Sequence, residues 1–245
     1  MSALASVERD LRAAVAADIV APTAAYLTDM TEARGLSGRA DAVALPRTAE
    51  EVAEVVAWCY AHGVAIVPRG GGTGYAAGAV PLDGGVVLSL ERLDRVRSFD
   101  PLLWRIEVEA GLRTAELRRI AREGGLLFAP DPGAAEQSQI GGNIATNAGG
   151  PHAFKYGVTG KWVTGLEVVV PPGDVVRVAP RNDLGHFLGC PRERHGIGAT
   201  DQSACLGHIR QVGGGRCDDV RADGCPQVTL DGRDRAHESA RSSAA

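Results

Sequence analysis

The fold turns on residues 64 to 74, Val-Ala-Ile-Val-Pro-Arg-Gly-Gly-Gly-Thr-Gly. Val64 to Val67 is a short apolar run that reads as a buried strand. The run breaks at Pro68-Arg69 into a loop holding Gly70, Gly71, Gly72, Thr73 and Gly74. A loop so poor in side chains lets successive backbone N–H groups converge on a phosphate. A nucleotide loop of the Rossmann or Walker kind must open directly into a helix. Here Tyr75 to Gly85 is small and loop-like, and Gly85-Val-Val-Leu-Ser-Leu90 reads as another strand. The expectation is a strand-loop-strand diphosphate cradle; the plain alternative is a flexible surface turn.

Working outward, the segments on both sides alternate helix and strand. Met1 to Val20 carries Glu8, Arg9, Asp10, Arg12 and Asp18 among its alanines, which breaks up any signal-peptide core. It reads as an amphipathic helix with Val7, Leu11, Val15 and Ile19 on one face, followed by an irregular lead-in. Ala42 to Leu45 is a strand. Thr48 and Glu51 form a capping box for a helix that buries Val52, Val55, Val56 and Cys59 and stops at Gly63. Leu93 to Phe99 and Arg105 to Ala110 read as strands, the second with Glu107 and Glu109 on its polar face. Thr114 caps a helix with Leu117, Ile120 and Ala121 inward, ended by Gly124-Gly125. Leu126 to Ala129 is a strand broken by Pro130-Asp131-Pro132-Gly133, and Leu166 to Val170 pairs with Val175 to Val178 as a hairpin.

Between those last strands lies Ile140-Gly-Gly-Asn-Ile-Ala-Thr-Asn-Ala-Gly-Gly-Pro-His-Ala-Phe-Lys-Tyr-Gly157. Small residues dominate, charge is absent until Lys155, and Asn143 and Asn147 offer amide donors and acceptors of the kind a heteroaromatic edge takes.

Composition narrows the classes. The 245 residues are 44% hydrophobic with a net charge of −4, which supports a core and gives no basic footprint for nucleic acid. No apolar stretch is long enough to predict a membrane span, and a cytoplasmic protein is expected. His62 reads as a helix C-cap, His152 as a solvent-facing loop residue, Trp58 as core or subdomain interface, and Asp131 as a turn former. Lys155 and Lys161 read as solvated charges.

The motifs Pro-Arg-Thr-Ala-Glu-Glu-Val, Pro-Arg-Gly-Gly-Gly-Thr-Gly, Pro-Asp-Pro, Ile-Gly-Gly-Asn-Ile-Ala-Thr-Asn-Ala-Gly-Gly-Pro, Lys-Tyr-Gly-Val-Thr and Leu-Glu-Val-Val resemble the PCMH-type FAD-binding domain of the vanillyl-alcohol-oxidase superfamily. The resemblance is to its branch of glycolate oxidase flavoproteins and FAD-linked D-lactate dehydrogenase, and it covers roughly residues 40 to 179. It weighs against the surface turn. It implies an α+β fold of two small α/β subdomains with FAD between them. It implies that Pro68, Arg69, Gly70, Gly71, Gly72, Thr73 and Gly74 wrap the diphosphate, and that Pro132, Gly141, Gly142, Asn143, Thr146, Asn147 and Gly149 pass near the flavin. Covalent members place a His in the glycine loop; Thr73 stands there, which implies non-covalent FAD. The implied reaction oxidises a D-2-hydroxy acid, of glycolate or D-lactate type, to a 2-oxo acid. The reduced flavin then passes electrons to an acceptor or to partner oxidase subunits. In this branch the general base, the substrate-orienting Arg and the metal cluster lie in a downstream domain, so no catalytic residue is assigned here.

The resemblance stops near Ala179. The family's following Gly-Tyr-Asp-Leu and Gly-Ser-Glu-Gly-Thr-Leu-Gly segments do not occur. The expected division is a lead-in over 1–40, an FAD-binding domain over 41–180, and a disordered tail over 181–245 that is foreign to the fold, as if the reading frame had slipped. Cys190, His195, Cys205, His208, Cys217 and Cys225 are zinc-capable, but their spacing matches no standard ligand pair, and no metal site is expected. Two rivals to the enzyme reading stay open. One is an FAD-binding module or inactive fragment without the substrate domain. The other is the flavin reductase of cell-wall precursor synthesis, which the Ile-Gly-Gly-Asn block suits poorly.

Overall fold

The structure, a computed structural model, describes residues 4–34, 36–178 and 209–213. Two sheets, each with its own core, account for the implied pair of subdomains.

The first sheet gathers β1 (Asp18–Val20), β2 (Ala42–Leu45), β3 (Ile66–Arg69) and β4 (Val86–Ser89) in the order β1-β2-β4-β3. β2 and β3 both run parallel to β4, with Val43 and Val67 opposite Val87, while β1 is antiparallel to β2. β2 and β4 are buried along their whole length, as their unbroken apolar runs require. β3 is not. It is an edge strand and only partly covered, which corrects the expectation of a buried one; Pro68 is tolerated there because an edge strand can do without one ladder donor.

Two helices cover this sheet. α1 (Leu4–Ala14) buries Leu11 completely and ends before Ile19, which belongs to β1. The lead-in is therefore part of the first core. α2 (Ala24–Leu27) and a 3-10 turn (Met30–Arg34) follow. In α3 (Ala49–Ala61) the buried face is Val52, Val55, Val56 and Cys59, as periodicity predicts. Thr48 Oγ1 accepts from the Glu51 amide at 3.2 Å, but Glu51 reaches back to the amide of Arg47 at 2.7 Å, one residue before the cap. His62 caps the end: Nδ1 donates to Trp58 O at 2.7 Å and the two rings stack 4.1 Å apart.

The second sheet is antiparallel, ordered β5 (Val96–Asp100), β6 (Arg105–Val108), β9 (Ile209–Gly213), β7 (Val163–Val170), β8 (Asp174–Val178). α4 (Thr114–Glu123) packs Leu117 and Ala121 into its core beside Ile106, Val108, Phe128 and Trp162. Leu126 to Ala129 joins no ladder; the Leu126 amide donates to Ala121 O at 2.8 Å, and Phe128 packs edge-on to Trp162 at 5.8 Å. The expected strand there is corrected to extended coil.

β9 corrects a second expectation. Ile209–Gly213 lies in the tail read as disordered, yet it is a strand between β6 and β7, with Ile106 and Val163 both opposite Val212. The edges of β6 and β7 present unpaired backbone groups, which an extended chain satisfies whatever its composition. The rest of 181–245, including the zinc-capable Cys and His residues and the proposed frame slip, lies outside the described residues.

The subdomains touch through α3 and the β7-β8 hairpin. Val169 on β7 points into the first core, and a methyl built on Gly173 would meet Ala53 O at 2.8 Å. Among the described residues no helix is long and apolar enough to cross a membrane, and no cluster of His, Cys, Asp and Glu could hold a metal.

Candidate functional site

The glycine loop leaves β3 at the sheet edge and meets the second subdomain at once. Beneath it, the Arg69 side chain is buried and donates to Thr28 O at 2.7 Å and Ala79 O at 3.3 Å. Burial lowers the Arg69 pKa from its ordinary value, with the Asp29 charge opposing. The guanidinium thus props the loop from below. Gly72, at φ +65, lies so close over it that an added methyl would come 2.2 Å from Nη2. That position needs glycine on both counts.

The second half of the site is helical where the sequence suggested a loop. Ile140–Ala145 forms α5, with Ile140, Asn143 and Ile144 buried. Two glycines inside one short helix cost intrinsic stability, and packing explains the first. A methyl on Gly141 would lie 2.8 Å from Ala110 Cβ. The helix is docked on the β6-α4 bend by Gly141 N–H to Ala110 O at 2.7 Å and Ile140 N–H to Leu112 O at 2.9 Å.

That bend is braced by Glu109, expected on the polar face of its strand but fully buried. Its carboxylate takes the Arg95 amide at 3.0 Å, the Arg95 guanidinium, and Arg97 Nη2 at 2.9 Å. Burial works against its charge, yet the bonds from Arg95 and the field of both arginines hold its pKa below the ordinary value.

The two halves meet. A methyl on Gly70 would stand 3.5 Å from Gly142 Cα, and one on Gly71 would strike Gln137 O at 2.0 Å. Among the described residues, no group accepts a hydrogen bond from the amides of Gly70, Gly71, Gly72, Thr73 or Gly74. A seam free of Cβ atoms and lined by unused donors fits a diphosphate. Gly74 has nothing within 4 Å of its missing methyl, so the loop opens to solvent at that end.

The predicted polar side chains are placed differently from the glycines. Asn143 is buried, and Nδ2 donates to Thr114 Oγ1 at 2.6 Å. Thr114 is not the helix cap expected of it: it opens α4, and its hydroxyl pairs with Ser138 Oγ at 2.7 Å. Thr146 Oγ1 bonds Gly142 O at 2.9 Å, and Asn147, at φ +50, accepts from the Gly160 amide at 2.9 Å. These side chains hold α5 and its exit. Pro132 lies against Gly150, and the Asp131 amide donates to Gly149 O at 2.9 Å, so the Pro-Asp-Pro bend and the Gly149-Gly150 turn form one unit. Gly149 itself is filled in by Ala153, 2.8 Å from its missing methyl.

Asp131 does more than form a turn: it pairs with Arg118, and His152 Nδ1 lies 3.4 Å from its other oxygen. A cleft of about 410 Å3 opens beside this pair, lined by Arg118, Leu127, His152, Lys155 and Tyr156. Lys155 is exposed, as expected of a solvated charge, with Nζ 4.8 Å over the Tyr156 ring. Gln139, which carried no signal beyond its place before the glycines, is nine-tenths buried with Oε1 unbonded at the seam. Burial and an unpaired oxygen mark this residue; no motif does.

Comparison with known proteins agrees with this geometry. A family profile described as "FAD binding domain" matches residues 40–179. The chain is 45% identical to a D-2-hydroxyglutarate dehydrogenase of Xanthomonas citri pv. viticola over 56% of its length and 29% of the relative's. It is 40% identical to the GlcD subunit of glycolate oxidase from Bacillus subtilis over the same shares, 56% and 29%. Against a D-lactate dehydrogenase of Anaerostipes hadrus it is 39% identical over 53% of this chain and 27% of that one. The chain thus spans well under a third of the length of these curated relatives. In fold it resembles 6-hydroxy-D-nicotine oxidase of Arthrobacter nicotinovorans, with TM-score 0.60, 23% identity, and coverage of 71% of this chain and 38% of that one. Alkyldihydroxyacetonephosphate synthase gives TM-score 0.58 at 24% identity over 73% and 34%. With the profile spanning more than half of the chain and the glycine seam in place, this protein belongs to the FAD binding domain family.

Proposed function

We propose that residues 41–180 hold FAD non-covalently along the seam, as the cofactor domain of an oxidoreductase that converts a D-2-hydroxy acid to a 2-oxo acid. The supporting observation is the juxtaposition of Gly70 with Gly142, a loop and a short helix distant in sequence that share one Cβ-free cleft. The substrate class rests on relatives named D-2-hydroxyglutarate dehydrogenase, glycolate oxidase and D-lactate dehydrogenase.

Bound FAD would supply the ring that accepts a hydride from the substrate carbon. The chain's own residues position it. The unused amides from Gly70 to Gly74 donate to the diphosphate; such charge-assisted bonds contribute about 1.5–3 kcal/mol each. Pro132, Gly141, Gly142, Asn143, Thr146, Asn147 and Gly149 shape the flavin end. Asn143 and Thr146 do so by fixing α5, since their side chains already bond Thr114 and Gly142. Thr73, in the loop place where covalent members carry His, leaves the cofactor exchangeable. The setting is cytoplasmic, and electrons leave through an acceptor or partner oxidase subunits.

The test is direct. Protein purified with FAD should show flavin absorbance that acid releases, and the colour should bleach on anaerobic addition of D-2-hydroxyglutarate, D-lactate or glycolate. A colourless protein that never takes up FAD would end the proposal. A second reading is an FAD-binding module without turnover; flavin colour that no hydroxy acid bleaches would support it instead.

A further inference from the structure

We propose that Gln139 is a cofactor-binding residue, its side-chain Oε1 accepting a hydrogen bond from a hydroxyl next to the diphosphate; this rests on FAD occupying the seam. Gln139 immediately precedes α5 and is only 8% exposed, and Oε1 has no hydrogen-bond partner. A buried amide oxygen left unpaired is costly and calls for a reason.

Its surroundings offer no internal one. The residue stands at the N-cap of α5, where a side-chain oxygen often accepts a helix amide, but it makes no such bond. Its backbone is committed instead, with Gln139 O accepting from Asn143 N–H at 2.9 Å and a bridge to Arg113. The nearby hydroxyls are engaged with each other, Thr114 Oγ1 with Ser138 Oγ at 2.7 Å. The amide instead turns to the glycine loop, with Oε1 3.6 Å from where a Gly70 methyl would be.

The seam therefore holds unused donors on the glycine loop and one unused acceptor on Gln139. Phosphate oxygens satisfy only the donors. FAD satisfies both, because its diphosphate is flanked on each side by hydroxyl-bearing chains that can donate. A bare diphosphate would leave Oε1 unpaired.

Gln139→Met keeps the length and removes the acceptor. FAD affinity, measured by flavin fluorescence quenching, should fall about tenfold or more, while the apoprotein melts at the wild-type temperature or higher because a buried unpaired polar atom is gone. Unchanged affinity within about twofold in a folded Gln139→Met protein would overturn the assignment, since the partner would then be water. If Gln139→Met does not fold, Gln139→Asn, which withdraws the amide by one methylene, is judged by the same affinity criterion. A wild-type protein that binds no FAD removes the underlying reading and this inference with it; wild-type binding with an indifferent Gln139 removes the inference alone.

Discussion

Gly70 and Gly142 face each other across the seam: a methyl on Gly142 would lie 4.0 Å from Gly70 Cα, an ordinary contact, with no other heavy atom outside its own helix as near. In the protein alone there is room for alanine at this point of α5.

That makes Gly142→Ala informative. An interior helical alanine in place of glycine should stabilise the apoprotein by about 0.5–1 kcal/mol. The same methyl narrows the seam, so FAD affinity should drop. Paired thermal melts and flavin titrations check both signs; a variant that is more stable and binds FAD as well as wild type would show that the cofactor does not use this face.

Gly71→Ala and Gly74→Ala separate folding from binding. The Gly71 methyl meets Gln137 O at 2.0 Å, a backbone atom that must move, so about 1–3 kcal/mol of stability should be lost. The Gly74 methyl meets nothing within 4 Å, so stability should stay within about 0.5 kcal/mol of wild type. Weaker FAD binding by Gly74→Ala would then report contact with the ligand itself.

Glu109 links the bend under α5 to pH. Its pKa is lower in the folded protein than in the unfolded chain. The stabilisation is therefore complete above the unfolded value, about 4.3, and is lost as pH falls through the folded one. Glu109→Gln should lower stability near neutral pH by about 1–2 kcal/mol, a modest loss because Arg95 is largely exposed and can be solvated. Melting curves from pH 7 to pH 3 should fall less steeply for the variant; parallel curves would remove Glu109 from the acid response.

Cys59 is fully buried on α3, and burial pushes its thiol pKa up to about 12. Folded protein should leave Cys59 unlabelled by an alkylating reagent at pH 8, and unfolding should expose it. Peptide mapping by mass spectrometry reads this site apart from the other cysteines. Rapid labelling in the native state would show that α3 opens locally.

How much of the site was legible in the sequence depended on whether the signal was local. Thr48 and Gly63 bound α3 because capping and left-handed termination are short-range effects, and the glycine loop between β3 and β4 is readable for the same reason. Glu109 was misread because alternation predicts which face a residue takes, not whether Arg95 and Arg97 close over that face. The Ile140–Ala145 helix was missed because two glycines argue against a helix until Ala110 is seen to require one of them.

The amino-acid sequence by itself determined α3, the strands β2 and β4, the β7-β8 hairpin, the bent glycine loop, and the family, since propensity, capping and motif spacing are written in neighbouring residues. Only the tertiary structure decided that Gly70 meets Gly142, that β3 is an edge and that Ile209–Gly213 completes the second sheet. It alone left Gln139 Oε1 without a partner. Contacts between distant segments are fixed by which buried surfaces and backbone groups satisfy one another, and no local pattern records that.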